Sequence, residues 1–187
     1  MTPAGQAGAL PARAGAPPST TPTNPHMQLD QQPDNDGPRA RLLSLLDDLP
    51  HVVWIHSLIS VPGAQALALP PGDAGGPPEA FMVSTEFAHL HPAPDHSLHM
   101  VLPPEVAEAA LQAGWAEQHP IARRGLITAG AVMVYAPRDN HEAEVVAALV
   151  RASHAYATGG HIPSEMCGTS VSGASKAAKC WCRADSS

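Results

Sequence analysis

Four histidines, His89, His91, His96 and His99, fall close together in the stretch FAHLHPAPDHSLH, in a chain of 187 residues that holds eleven histidines in all. Imidazole titrates near neutral pH, ligates metals through either nitrogen and serves as donor or acceptor, so a cluster of this kind can do several kinds of chemistry. On a β-strand alternate side chains share a face. His89 and His91 therefore project together, with Leu90 turned the other way. On the following segment His99 shares a face with Ser97 and Val101, while Leu98, Met100 and Leu102 form the opposite, apolar row. A hairpin turning at PAPD returns His99 beside His91 or His89, with Asp95 or His96 near the turn.

Three readings of that face stand side by side. The imidazoles can hold a metal such as zinc or non-haem iron. One of them can act as a general base, oriented by a carboxylate or by another imidazole. They can also be ordinary polar residues of a half-exposed sheet. Glu86 is close in sequence, but a regular strand places it on the face opposite to His89 and His91.

Other candidates are more scattered. GWAEQHP puts Trp115 and His119 just after a helix, as an aromatic cover on the core and a loop residue. In YAPRD, Tyr135 and Arg138 end an apolar strand, and Arg138 can hold an anionic or enolate substrate or pair with Asp139 or Glu142. His161, Cys167, Cys180 and Cys182 supply zinc-ligand residue types, but no CxxC pair is present and the surroundings are of low complexity. No GxGxxG, P-loop, GxSxG or HExxH motif occurs.

The elements that must carry these residues are legible from periodicity. Leu42, Leu45, Leu46 and Leu49 form one stripe of an amphipathic helix that stops at Pro50. HVVWIHSLI reads as a short strand, and a Gly/Pro loop occupies residues 70–78. FMVSTEFAHLH and SLHMVLP form the hairpin. PPEVAEAALQAGW is a helix opened by proline and ended at Gly114. AGAVMVYAP is an apolar run suited to a strand covered on both faces. Asp139 and Glu142 make an N-terminal capping pair for a final helix ending at Gly159 and Gly160. Short turns between strands predict an α+β domain, an antiparallel sheet of about four to five strands with helices mainly on one face.

That domain spans residues 38–160. Residues 1–37, rich in Pro, Ala, Gly, Thr and Gln without apolar periodicity, are read as a disordered leader, and residues 161–187 as a flexible tail. Formal charge is −7, and the two lysines lie in the last twelve residues, which argues against a nucleic-acid partner. No run of 18 apolar residues exists, so no membrane span is expected. Three cysteines near the C-terminus are no disulfide framework, and the expected setting is the reducing cytoplasm.

Residues 86–159 resemble the luciferase domain of bioluminescent fungi and its bacterial relatives. The resemblance is carried by His89, His91, Asp95 and His99, then Gly114-Trp115, His119-Pro120 and Tyr135-Ala136-Pro137-Arg138, and by Glu142, Val145, Val146, Ala152, Ser153 and Tyr156. It departs at Pro94, where the fungal stretch has a further histidine. The resemblance implies an oxygenase that takes a hydroxylated styryl-pyrone and molecular oxygen, with no cofactor, neither flavin nor metal. Deprotonating an enol so that its anion can reduce oxygen calls for a histidine base and a cationic partner such as Arg138. On that basis His89, His91 and His99 are the expected catalytic residues. Asp95, Trp115, His119, Tyr135 and Arg138 are the expected substrate-binding residues, the partner is a small molecule, and His96 is a bystander.

Overall fold

A computed structural model describes residues 10–160, so the cysteines and His161 lie outside the described residues. Its elements in chain order are α1 (Gly37–Leu46), β1 (Val53–His56), β2 (Gln65–Ala68), β3 (Glu86–Leu90), β4 (Leu98–Val101), α2 (Pro104–Gln112), β5 (Ala116–Gln118), α3 (Pro120–Arg123), β6 (Ala131–Val134) and α4 (Asn140–Thr158). A single 3-10 turn, Pro78–Ala80, precedes β3. The architecture is the expected α+β, but the sheet has six strands, all antiparallel, in the order β1-β2-β3-β4-β6-β5. Of the two further strands, β2 comes from the weakly apolar stretch before the Gly/Pro loop, and β5, Ala116–Gln118, has too few residues to show a period.

The leucine stripe forms α1 as expected, burying Leu42 and Leu46 against α4. Helix α4 crosses β3 and β4, and the Ser153 hydroxyl donates to the Val101 carbonyl at 2.7 Å. Ala88, Leu90, Leu98 and Met100 face this helical layer and join the aliphatic core. Asp139 caps α4 by accepting from the Glu142 amide at 2.8 Å, and Gly159 ends it in the left-handed conformation at φ 72°. Among the described residues no helix is long and apolar enough to cross a membrane.

One stretch differs from its sequence reading. Residues 10–36, expected as part of a disordered leader, lie against the sheet face that α4 leaves open. The Trp115 indole donates to the Pro11 carbonyl, Gln28 donates its amide to Asp95 at 3.2 Å, and the Gln28 side chain accepts from the Ala136 amide at 2.8 Å. His26 and Gln28 are buried there. The segment has no apolar period because it is an irregular strap, fastened by polar contacts and not by a helix or strand face. A reading based on apolar burial has no way to register such anchors.

Candidate functional site

The register of the sheet sets the site. His89 pairs with His99 across β3 and β4, His99 with Met133 across β4 and β6, and Met133 with Glu117 on β5. Directly opposed residues share a face, so this row brings His89, His99 and Glu117 to the surface away from α4. His91 follows His89 by two residues and joins them. His119, one residue beyond β5, and His26 from the strap complete a contiguous cluster. Ring centroids lie 5.1 Å apart for His89 and His99, 4.7 Å for His91 and His99, 4.9 Å for His99 and His119, and 5.3 Å for His26 and His99.

Glu86 also belongs to this face. The pairing of β2 with β3 shifts register between Leu67 and Ala68, so that Leu67 stands opposite Ala88 while Ala68 stands opposite Glu86. Phe87 is the extra residue of a β-bulge, and it reverses the alternation for everything before it. The Glu86 carboxylate consequently meets His89 Nδ1 at 2.8 Å and also accepts from the Ser57 hydroxyl at 2.8 Å and the Leu58 amide at 3.1 Å.

These contacts assign the imidazole tautomers. A carboxylate accepts, so His89 carries its proton on Nδ1 and its Nε2 accepts from His99 Nδ1–H at 3.1 Å. His99 Nε2 is thereby left as a lone pair. His91 donates Nδ1–H to Asp95, leaving Nε2 as a lone pair among the residues that line the cavity. His26 donates Nε2–H to Glu117 at 2.5 Å, leaving Nδ1. His119 is of opposite polarity: its Nδ1 accepts from the Ile121 amide at 3.2 Å, so the proton sits on Nε2.

Electrostatics follow the same division. Burial alone would raise the Glu86 and Asp95 carboxyls, but hydrogen bonds from His89 and Ser57 to the first, and from His91 and Ser97 to the second, hold both below their ordinary range. Burial, reinforced by the neighbouring imidazoles, keeps His99 well below its usual pKa and lowers His119 to about 4. Burial also lowers His89, against the opposing pull of Glu86. At neutral pH these three imidazoles are uncharged and the carboxylates behind the cluster are ionised.

Above the imidazoles lies a cavity of about 680 Å³. Its other walls are largely apolar, including Pro25 from the strap, Ile59, Val61 and Pro62 from the loop after β1, and Ile121 and Ile127. A chamber of this size, apolar with a few convergent polar groups, is the usual form of a small-molecule site.

The residues singled out from sequence divide into two sets. His89, His91, His99 and His119 come together at the cavity, and Asp95 stands behind His91 without itself lining the wall. Arg138 is turned away: its guanidinium and its backbone amide both bond Glu142, and it donates to the Ala14 carbonyl at 2.9 Å. The pairing alternative is the one realised, because Glu142 at the start of α4 is both near and buried. Trp115 is a buried core residue, and Tyr135 reaches Glu117 at 3.4 Å behind the site, with burial and that carboxylate raising its phenol to about 12. His96 stays off the cluster, at φ 59° in the turn. His26, Glu86 and Glu117 were not legible as site residues. Only their residue types offered a hint.

A metal could be held in two places. His89, His91 and His99 form one triad and His26, His99 and His119 another, each with ligand atoms within 4.8 Å of one another.

The family model of the luciferase domain matches residues 84–153, the span that holds β3 through most of α4 and seven residues of the site from Glu86 to His119. Through these residues, somewhat over a third of its length, the chain is similar to the luciferase domain. The luciferase of Neonothopanus nambi is 33% identical over 110 residues, covering 58% of this chain and 39% of that protein. The luciferase of Armillaria mellea is 33% identical over 75 residues, 39% of this chain and 28% of its own length. The chain thus spans about two fifths or less of the length of these relatives. No solved structure matches it. Within the matched span lie the strand histidines, Asp95, Glu117 and His119, whereas His26 and the Ile59–Pro62 wall come from outside it.

Proposed function

We propose that this chain is an oxygenase acting on an enolisable small molecule of the hydroxypyrone, phenol or lactone class, with molecular oxygen as co-substrate and no flavin. The observation that carries the proposal is the Asp95–His91 pair at the edge of an apolar cavity. Its carboxylate fixes the imidazole so that Nε2 offers a lone pair to whatever the cavity holds. In the proposed reaction His91 Nε2 takes the proton of the substrate hydroxyl. Asp95 balances the imidazolium that forms. The electron-rich enolate then passes an electron to dioxygen, and recombination gives a substrate peroxide. The similarity to fungal luciferases supports the choice of oxygen as the oxidant, and the apolar walls support a substrate with a flat or greasy body and one acidic hydroxyl.

Oxygen consumption by the purified chain, measured across a panel of hydroxypyrones, catechols and hydroxylactones, tests this reading. At least one substrate should support turnover, and His91→Ala should lower it by roughly 10²–10⁴-fold. Full turnover in that variant would remove His91 from the mechanism, and an inert panel would remove the substrate class.

A further inference from the structure

Among the described residues, two nitrogens of the cluster have no partner. His26 Nδ1 and His99 Nε2 are both buried and make no hydrogen bond, and both belong to side chains more than nine-tenths buried. The tautomers that Glu117 and the Glu86–His89 pair impose make both of them lone pairs. A buried acceptor with no donor is costly, and two of them on rings stacked 5.3 Å apart call for a cation. Behind them stand Glu117 and Glu86, and beside them Asp95. Among the described residues each of these carboxylates has only an imidazole as its ionic partner. Carboxylate, imidazole and an inward-facing lone pair in sequence is the arrangement that orients histidine ligands at metal centres.

We infer that His26, His99 and His119 form a site for a divalent transition-metal ion of the zinc or cobalt class, which fastens the N-terminal strap to the sheet. One ring nitrogen of each residue already lies within 4.8 Å of the other two. Metal–nitrogen bonds of about 2.0–2.1 Å hold tetrahedral ligands about 3.3 Å apart, so the rings draw inward by rotation on binding. His26 and His99 supply lone pairs as they stand. His119 ligates through Nε2, moving its proton to Nδ1 and giving up the 3.2 Å contact from the Ile121 amide. The fourth position opens to the cavity and takes water. The other triad is disfavoured because both nitrogens of His89 are engaged, one by Glu86 and the other by His99.

The site is distinct from the proposed base, since His91 is not a ligand, and its test needs no substrate. The full chain, freed of metal by a chelator, is titrated with Co²⁺ while the visible d–d bands are recorded, then displaced with Zn²⁺. One equivalent should bind with the intensity of a four-coordinate site of three nitrogens and one water. His26→Ala and His119→Ala should each weaken binding by about tenfold or more, and His91→Ala should leave it unchanged. Saturation should also slow limited proteolysis within residues 10–36. Glu117→Gln preserves the shape of the strap contact and should lower affinity about tenfold, which keeps the test open if His26→Ala unfolds the strap. Failure to bind a stoichiometric equivalent overturns the inference, as does binding that survives His26→Ala and is lost in His91→Ala. Neither result bears on oxygen uptake, so the proposed reaction stands or falls separately.

Discussion

Asp95 shows how one side chain can position another. One oxygen holds His91 Nδ1–H, and the second accepts from the amides of Gln28 and Ser97 at 3.2 and 3.1 Å. Asp95→Asn retains an acceptor for those amides but cannot balance a positive imidazole. Steady-state kinetics on an active substrate should show kcat falling by about tenfold or more with KM little changed. An equal fall in kcat and rise in KM would mean that Asp95 contacts the substrate instead. At this scale the sequence was a partial guide. Period-two alternation grouped His89, His91 and His99 correctly, because a strand obeys that rule wherever it is regular. Glu86 escaped the rule at Phe87, where the strand is not regular, and His26 escaped it in a stretch with no period at all. Arg138 stands at a strand end, where a cation looks available, and its side-chain partner Glu142 lies four residues further on.

Helices α1 and α4 and the central hairpin could be located from the sequence because each repeats its pattern over two turns or more, or over alternating residues. Strand β5 and the strap could not, since three residues or an irregular path carry no period. The Gly/Pro loop at 70–78 was visible as a break, but its docking was not. Gly76 donates its amide to the Ala157 carbonyl at 2.8 Å, and a Cβ there would lie 2.0 Å from the Tyr156 carbonyl oxygen. At Gly72 nothing lies within 4 Å of the corresponding position. Denaturant unfolding should therefore show Gly76→Ala losing about 1–3 kcal/mol, since backbone atoms of the helix end must move. Gly72→Ala should stay within about 0.5 kcal/mol of the parent. Equal effects at the two glycines would mean that the loop does not rest on α4.

Across the whole molecule, the buried imidazoles make stability depend on pH. His119 has a folded pKa of about 4 against an ordinary value of 6.5, and His89 and His99 are shifted in the same direction. As pH falls through 6.5 the unfolded chain takes up protons that the folded chain refuses, so stability declines toward pH 4. The lowered carboxyls Glu86 and Asp95 add their own loss only at more acidic pH. Thermal melts between pH 7.5 and 4.5 should show the midpoint falling steadily, and a flat profile would contradict the neutral cluster. The cavity is also assembled from separate stretches of the chain. Its floor of imidazoles and carboxylates lies within residues 84–153, but part of its roof, Asn24 to His26 and Ile59 to Pro62, lies outside that span. A roof and a floor drawn from different stretches of chain can change at different rates. Two chains sharing the floor but differing in their first sixty residues would keep the same reactive groups and admit different guests, so exchanging the roof is the direct way to ask what this chamber selects.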